Sequence, residues 1–221
     1  MLAKDLLTDL IPAVTRTTRV DQVLAEMREY RVTHLPFVEQ DKYQGLLSEK
    51  DTIKLNHEDQ LANPESLNLL TVSTDENQHI YEVIDLVARY ELTLLPVISA
   101  DKAYLGSITL PALVKKFSDL STAGQPGAVI VLGLAVQDYS PALLSRIVED
   151  NNAKIISLYV VADPNGRELA VTLKVNTGEP GAMMRAFDRY GYSVHSFFMT
   201  NSQVDDFYRS RYEEFMNYMN I

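Results

Sequence analysis

An internal repeat constrains this chain more than any other feature: residues 17–42 lie on residues 77–102 without a gap, at an offset of 60. TTRVDQVLAEMREYRVTHLPFVEQDK meets NQHIYEVIDLVARYELTLLPVISADK, with identities at Val23/Val83, Tyr30/Tyr90, Thr33/Thr93, Leu35/Leu95, Pro36/Pro96, Asp41/Asp101 and Lys42/Lys102. Val20, Val23, Leu24, Met27 and Tyr30 recur at helical spacing, and Ile80, Val83, Ile84, Val87 and Tyr90 repeat them. Each copy is therefore predicted to carry an amphipathic helix. VTHLPFV and LTLLPVI follow, and their single prolines predict short strands near a sheet edge. A second strand is expected to open at Gly45 and, at an offset of 61, at Gly106, and each runs on into a helix. A strand, helix, strand, strand, helix unit of this size cannot cover its own sheet, so the copies must pack on each other.

With 221 residues and 46% hydrophobic content, two domains are expected. The absence of cysteine excludes disulfides, thiolate metal sites and thiol nucleophiles. A net charge of −10, with 12 basic and 19 acidic residues up to Ser121 and 8 and 11 after it, argues against a nucleic-acid partner. The longest apolar run, Ala128 to Val136, stops after nine residues, short of a membrane span. Asp5 and Asp9 interrupt any secretory signal core, so a soluble, cytoplasmic protein is expected.

In the first copy the second strand leads through Gly45, Leu46, Leu47, Ser48, Glu49, Lys50 and Asp51. Glycine, two apolar residues, Ser or Thr, two residues, Asp, after a leucine-proline strand and in a tandem repeat, resembles the CBS domain pair, or Bateman module, over residues 1–120. The resemblance implies that Asp51 holds the ribose hydroxyls of an adenine nucleotide (AMP, ADP or ATP) and that Ser48 lies at its phosphate. A carboxylate can accept both hydrogen bonds of a cis-diol, and a hydroxyl opening a helix sits beside amides that favour anions. Lys50 adds a point charge. The adenine is expected around Ala13, Val14 and the strand from His34 through Pro36 to Val38. A simpler reading makes Ser48 a helix N-cap, Asp51 a first-turn acid and His34 a structural histidine. The second copy reads Gly106, Ser107, Ile108, Thr109, Leu110, Pro111, Ala112, keeping the hydroxyl at Thr109 but placing Ala112 where Asp would grip a ribose. One competent site per chain is predicted. His57, His79 and His195 lack metal-ligand spacing, so no metal and no required cofactor are expected.

Beyond STAGQP, residues 121–126, the order strand, helix, strand, strand, helix, strand predicts a ferredoxin-like βαββαβ domain and an α+β fold overall. This half resembles the ACT domain, whose ligand loop would fall on Asp138, Tyr139, Ser140 and Ala142. Ala142 replaces the glycine that lets backbone approach a ligand, which favours a dimerising role over amino-acid binding. Val204, Phe207, Tyr208, Tyr212, Phe215, Met216 and Met219 form one helical stripe in the tail, which suits a homodimer contact. The expected boundaries are 1–60 and 61–121 for the repeats, 122–126 for a linker, 127–200 for the ACT-like domain and 201–221 for the tail helix. This order is similar to the acetoin-utilisation accessory protein family. It implies a non-catalytic regulator that binds an adenine nucleotide and acts on a regulated protein through an ACT-like dimer. The alternatives are a scaffold whose repeats no longer bind ligand, or an amino-acid sensor. An enzyme finds no support, since Ser193 and His195 share a strand face without an ordered partner and no glycine loop with Lys and Ser or Thr occurs.

Overall fold

A computed structural model describes residues 1–8, 11–56, 59–61, 67–122, 124–177 and 180–199. They form two compact units that meet in sequence between Ser118 and Asp119. That boundary falls a few residues before the expected linker, within the last turn of the helix Leu110–Leu120.

In the first unit α1 (Val20–Tyr30) buries Val20, Val23, Leu24 and Met27, and its counterpart α3 (Ile80–Arg89) buries Ile80, Val83 and Val87. Both copies leave the helix through a left-handed residue, Arg31 at φ 55° and Glu91 at φ 51°. Each then forms an antiparallel hairpin: β1 (His34–Glu39) with β2 (Lys42–Ser48), and β5 (Leu94–Ile98) with β6 (Tyr104–Thr109). A single core cluster joins the copies, with Leu35, Phe37, Leu46 and Leu47 meeting Leu94, Leu95, Val97 and Ile108 between α1 and α3. The repeats pack on each other as the pattern requires.

The leading strand of each copy is shorter than expected. In the first it is one residue, Val14, bridged in parallel to Phe37; in the second it is β4 (Thr74–Asp75), parallel to β5. β5 is therefore the middle strand of its sheet, whereas β1 stands at the edge of the order β1-β2-β3, as its proline suggested, with the single Val14 bridge on its outer side. Pro36 is tolerated because parallel pairing on its side begins only at Val14, which donates its amide to the Pro36 carbonyl at 2.8 Å.

The copies also exchange segments. β3 (Leu69–Leu70), which precedes the second copy, pairs antiparallel with β2 of the first. Reciprocally Thr8, which precedes the first copy, bridges Ser107 in β6 of the second. Gly45 and Gly106 stand within β2 and β6 rather than at their starts, and the exchange explains why. A Cβ at Gly45 would lie 2.7 Å from Leu69 Cβ, and one at Gly106 would lie 3.1 Å from Leu7 Cδ2. The expected division at residue 60 therefore cuts through interlocked pieces.

The second unit follows the predicted order: β7 (Ala128–Ala135), α5 (Pro141–Asp150), β8 (Ile155–Ala162), β9 (Glu168–Val175), α6 (Gly181–Arg189) and β10 (Ser193–Met199). All pairs are antiparallel in the order β10-β7-β9-β8. Leu144, Ile147 and Val148 of α5 and Met183, Ala186 and Phe187 of α6 form one core with Ile130, Leu132, Val171 and Leu173. Lys174 is buried and its Nζ donates to the Thr122 carbonyl, tying the incoming segment to the sheet. The predicted tail helix over 201–221 lies outside the described residues.

Candidate functional site

The site is built where β2 turns into α2 (Glu49–Thr52). Ser48 caps this helix: its Oγ accepts from the Asp51 amide at 3.1 Å and donates to Asp51 Oδ2 at 2.9 Å. Thr52 is fully buried and its hydroxyl donates to the Ser48 carbonyl at 2.7 Å, which fixes the cap from below. Two groups not anticipated from sequence complete the carboxylate's surroundings. Lys54 Nζ lies 2.7 Å from Asp51 Oδ1, and Asn68 Nδ2 donates to Oδ2 at 3.1 Å. Lys54 stands three residues after Asp51, in the turn that follows α2, and that spacing could have been read. Asn68 is 17 residues away and arrives only with the exchanged β3 segment, so nothing local signalled it. Hydrogen bonds from Lys54, then Ser48, hold the Asp51 carboxyl below the usual carboxylate range against the opposing effect of burial.

Helix α2 has only four residues, and the Glu49 amide is already donated to the Thr33 carbonyl at 2.8 Å. With the Asp51 amide used by Ser48, little of the anion-favouring character expected of a helix start is left here. Negative charge would be met by Lys50, which is exposed, and by Lys54. His34 is the register partner of Ser48 across β1 and β2, with Nδ1 3.0 Å from Thr33 Oγ1. Burial pushes its pKa down, so the ring is neutral near pH 7 and adds no charge for a phosphate. Val14, Pro36 and Val38 line up through backbone bonds: Val14 N–H to the Pro36 carbonyl at 2.8 Å and Val38 N–H to the Val14 carbonyl at 2.9 Å. The Val14 and Val38 side chains are buried and Ala13 is half-buried, so Ala13 and backbone are what this strand can offer a ring.

Thr109 repeats the cap without the acid. Its Oγ1 accepts from the Ala112 amide at 3.3 Å, at the start of α4 (Leu110–Leu120). Capping thus occurs in both copies, and Asp51 with Lys54 and Asn68 is what the first has in addition.

In the second unit Val136–Asp138 form a 3-10 turn, and the Asp138 carbonyl accepts from the Tyr192 hydroxyl at 3.2 Å. Ser140 caps α5 by accepting from the Leu143 amide at 3.3 Å, Tyr139 packs against the core, and Ala142 is exposed. These positions form a structural corner, with Ser140 and Tyr139 already engaged. Ser193 pairs with Gly133, and the His195 ring lies over Gly133, where a Cβ would meet Nε2 at 2.1 Å. Among the described residues no group of three His, Asp or Glu could hold a metal ion, and no helix is long and apolar enough to cross a membrane.

Residues 3–58, which contain Ser48, Lys50, Asp51 and Lys54, match the family model of the CBS domain. The chain is also similar to several solved structures. A CBS domain pair/ACT domain protein from Thermotoga maritima is 19% identical with a TM-score of 0.49, the match covering 54% of this chain and 98% of that one. CBSX2 in complex with AMP is 19% identical with a TM-score of 0.45, covering 53% of this chain and 96% of that one. The cytosolic domain of the Mg2+ channel MgtE in complex with ATP is 25% identical with a TM-score of 0.44, covering 52% of this chain and 48% of that one.

Proposed function

We propose that the first unit is a regulatory module that binds an adenine nucleotide at Ser48 and Asp51 of its first repeat, one ligand per chain. The observation that carries this reading is the Asp51 carboxylate. It is ionised, its side chain is 22% exposed, and Lys54, Ser48 and Asn68 hold it within α2 just past the end of β2. A ribose diol can replace Asn68 and the Ser48 hydroxyl as donors to the same oxygens, while Lys54 and Lys50 stand ready for phosphate. The CBS-domain match supports the assignment because it spans these residues. Ala112 in the second repeat leaves nothing to grip a ribose. The second unit, an ACT-like fold of βαββαβ order, acts as the relay to a regulated protein, and the chain is non-catalytic.

Isothermal calorimetry with AMP, ADP and ATP tests the reading directly. The parent binds at least one of them with a stoichiometry of one per chain, and Asp51→Ala loses that binding. Unchanged affinity in Asp51→Ala, or a stoichiometry of two, overturns it.

A further inference from the structure

Asn68 is the donor to Asp51 that comes from farthest along the chain, and the lone pairs of that carboxylate leave no room for it beside a bound diol. An ionised carboxylate offers about four acceptor positions, two on each oxygen. Oδ1 accepts from Lys54 at 2.7 Å and keeps one position open. Oδ2 accepts from the Ser48 hydroxyl at 2.9 Å and from Asn68 Nδ2 at 3.1 Å, and is full. A cis-diol that grips both oxygens needs one position on each, so it finds room at Oδ1 and none at Oδ2. One of the two donors to Oδ2 must leave.

Ser48 is the harder to move. Its Oγ also accepts from the Asp51 amide at 3.1 Å as the cap of α2, so it stays beside Oδ2 whichever way its hydrogen points. Asn68 has no second tie of this kind. Its side chain is exposed, makes no other hydrogen bond among the described residues, and can turn into water at the cost of one bond. Of the three donors Lys54 lowers the carboxyl most and Asn68 least.

The second repeat lacks the acid and the amide together. Thr8 faces Ser107 as Leu70 faces Leu46, which places Leu6 where the first copy has Asn68, and Ala112 stands where it has Asp51. Leu6 is buried in the core. An apolar residue therefore serves the exchanged segment at this position, and the amide occurs where there is a carboxylate to occupy.

We propose that Asn68 is a built-in competitor for the ribose position on Asp51, satisfying Oδ2 while the site is empty and yielding it to the nucleotide. The proposal rests on the nucleotide reading above. Apparent affinity is then lower than intrinsic affinity by the fraction of chains in which Asn68 has turned away. Every ligand that grips both oxygens meets the same competitor, so the effect is the same whatever the number of phosphates.

Calorimetry of the full chain with AMP, ADP and ATP tests this. Asn68→Ala removes the competitor at an exposed position, and each nucleotide that the parent binds is held about three- to tenfold more tightly. A crystal structure of the nucleotide-bound parent finds Asn68 Nδ2 beyond about 3.5 Å from Asp51 Oδ2. Affinity that is unchanged or weaker in Asn68→Ala overturns the proposal while leaving the nucleotide reading intact, since a residue that merely positions Asp51 gives that sign. A bond from Asn68 to Oδ2 that persists in the bound parent overturns it in the same way. If neither the parent nor Asn68→Ala binds any of the three, the nucleotide reading fails and the competitor role falls with it.

Discussion

Thr33 and Thr93, sixty residues apart in sequence, meet side chain to side chain. Their Oγ1 atoms lie 3.3 Å apart and the Thr33 amide donates to Thr93 Oγ1 at 2.9 Å. Each also accepts, through its carbonyl, the first amide of the following helix: Glu49 N–H at 2.8 Å for Thr33 and Leu110 N–H at 2.9 Å for Thr93. The starts of α2 and α4 are thus joined through two threonines. Thr93→Val keeps the shape and removes the acceptor of the Thr33 amide, so urea unfolding is expected to show a loss of about 1 kcal/mol. Thr33→Val leaves that amide satisfied and costs less. Equal losses would mean that the hydroxyl pair, not the amide bond, carries the link.

Gly45→Ala forces a Cβ to within 2.7 Å of Leu69 Cβ in the exchanged segment. The expected cost is about 1–3 kcal/mol in the unfolding midpoint. Gly124→Ala, where nothing lies within 4 Å, serves as the silent comparison.

The folded-state pKa of Asp51 is depressed, with Lys54 the largest cause. The unfolded chain then takes up the proton first as pH falls. The associated stabilisation is complete above the unfolded value of about 3.9 and disappears as pH drops through the folded one. The stability difference between the parent and Asp51→Asn is expected to be flat from neutral pH down to about 4 and to shrink below it. Nucleotide binding measured across the same range follows the same course. A midpoint near pH 6 for either would place the controlling group elsewhere.

Lys42 Nζ reaches from the first repeat to Asp101 Oδ2 of the second at 2.7 Å. Hydrogen bonds from Lys42, then Ser99, lower the Asp101 carboxyl to about 2. A carbon-detected NMR titration should find it there, and Lys42→Met should return it toward the ordinary value of about 3.9. Both side chains are largely exposed, so the pair matters little to stability and is screened by salt.

Much of this architecture was legible because its signals are local. The spacing of Val20, Val23, Leu24 and Met27 marks α1, and Ser140 before Pro141 marks the start of α5. Ser48 and Asp51 were legible because a second copy showed which letters the fold needs and which it can lose. What escaped depends on distant partners. The middle-strand placement of β5 rests on β4, β3 reaches β2 across a connection with no periodic pattern, and Asn68 comes to the site only by that route. Helix α2 stops after Thr52 because Lys54 and Leu55 donate to carbonyls only three residues back, tightening the chain into turns.

The reciprocal placement of Thr8 on β6 and β3 on β2 has a further consequence. Two separate single-repeat chains that had traded their leading segments would make the same pairings, so the connection between the repeats works as a tether on an obligate swap. Cleavage near residue 60 would yield two pieces that each still hold the other's sheet edge, and a nicked first half is expected to migrate as one particle until denatured.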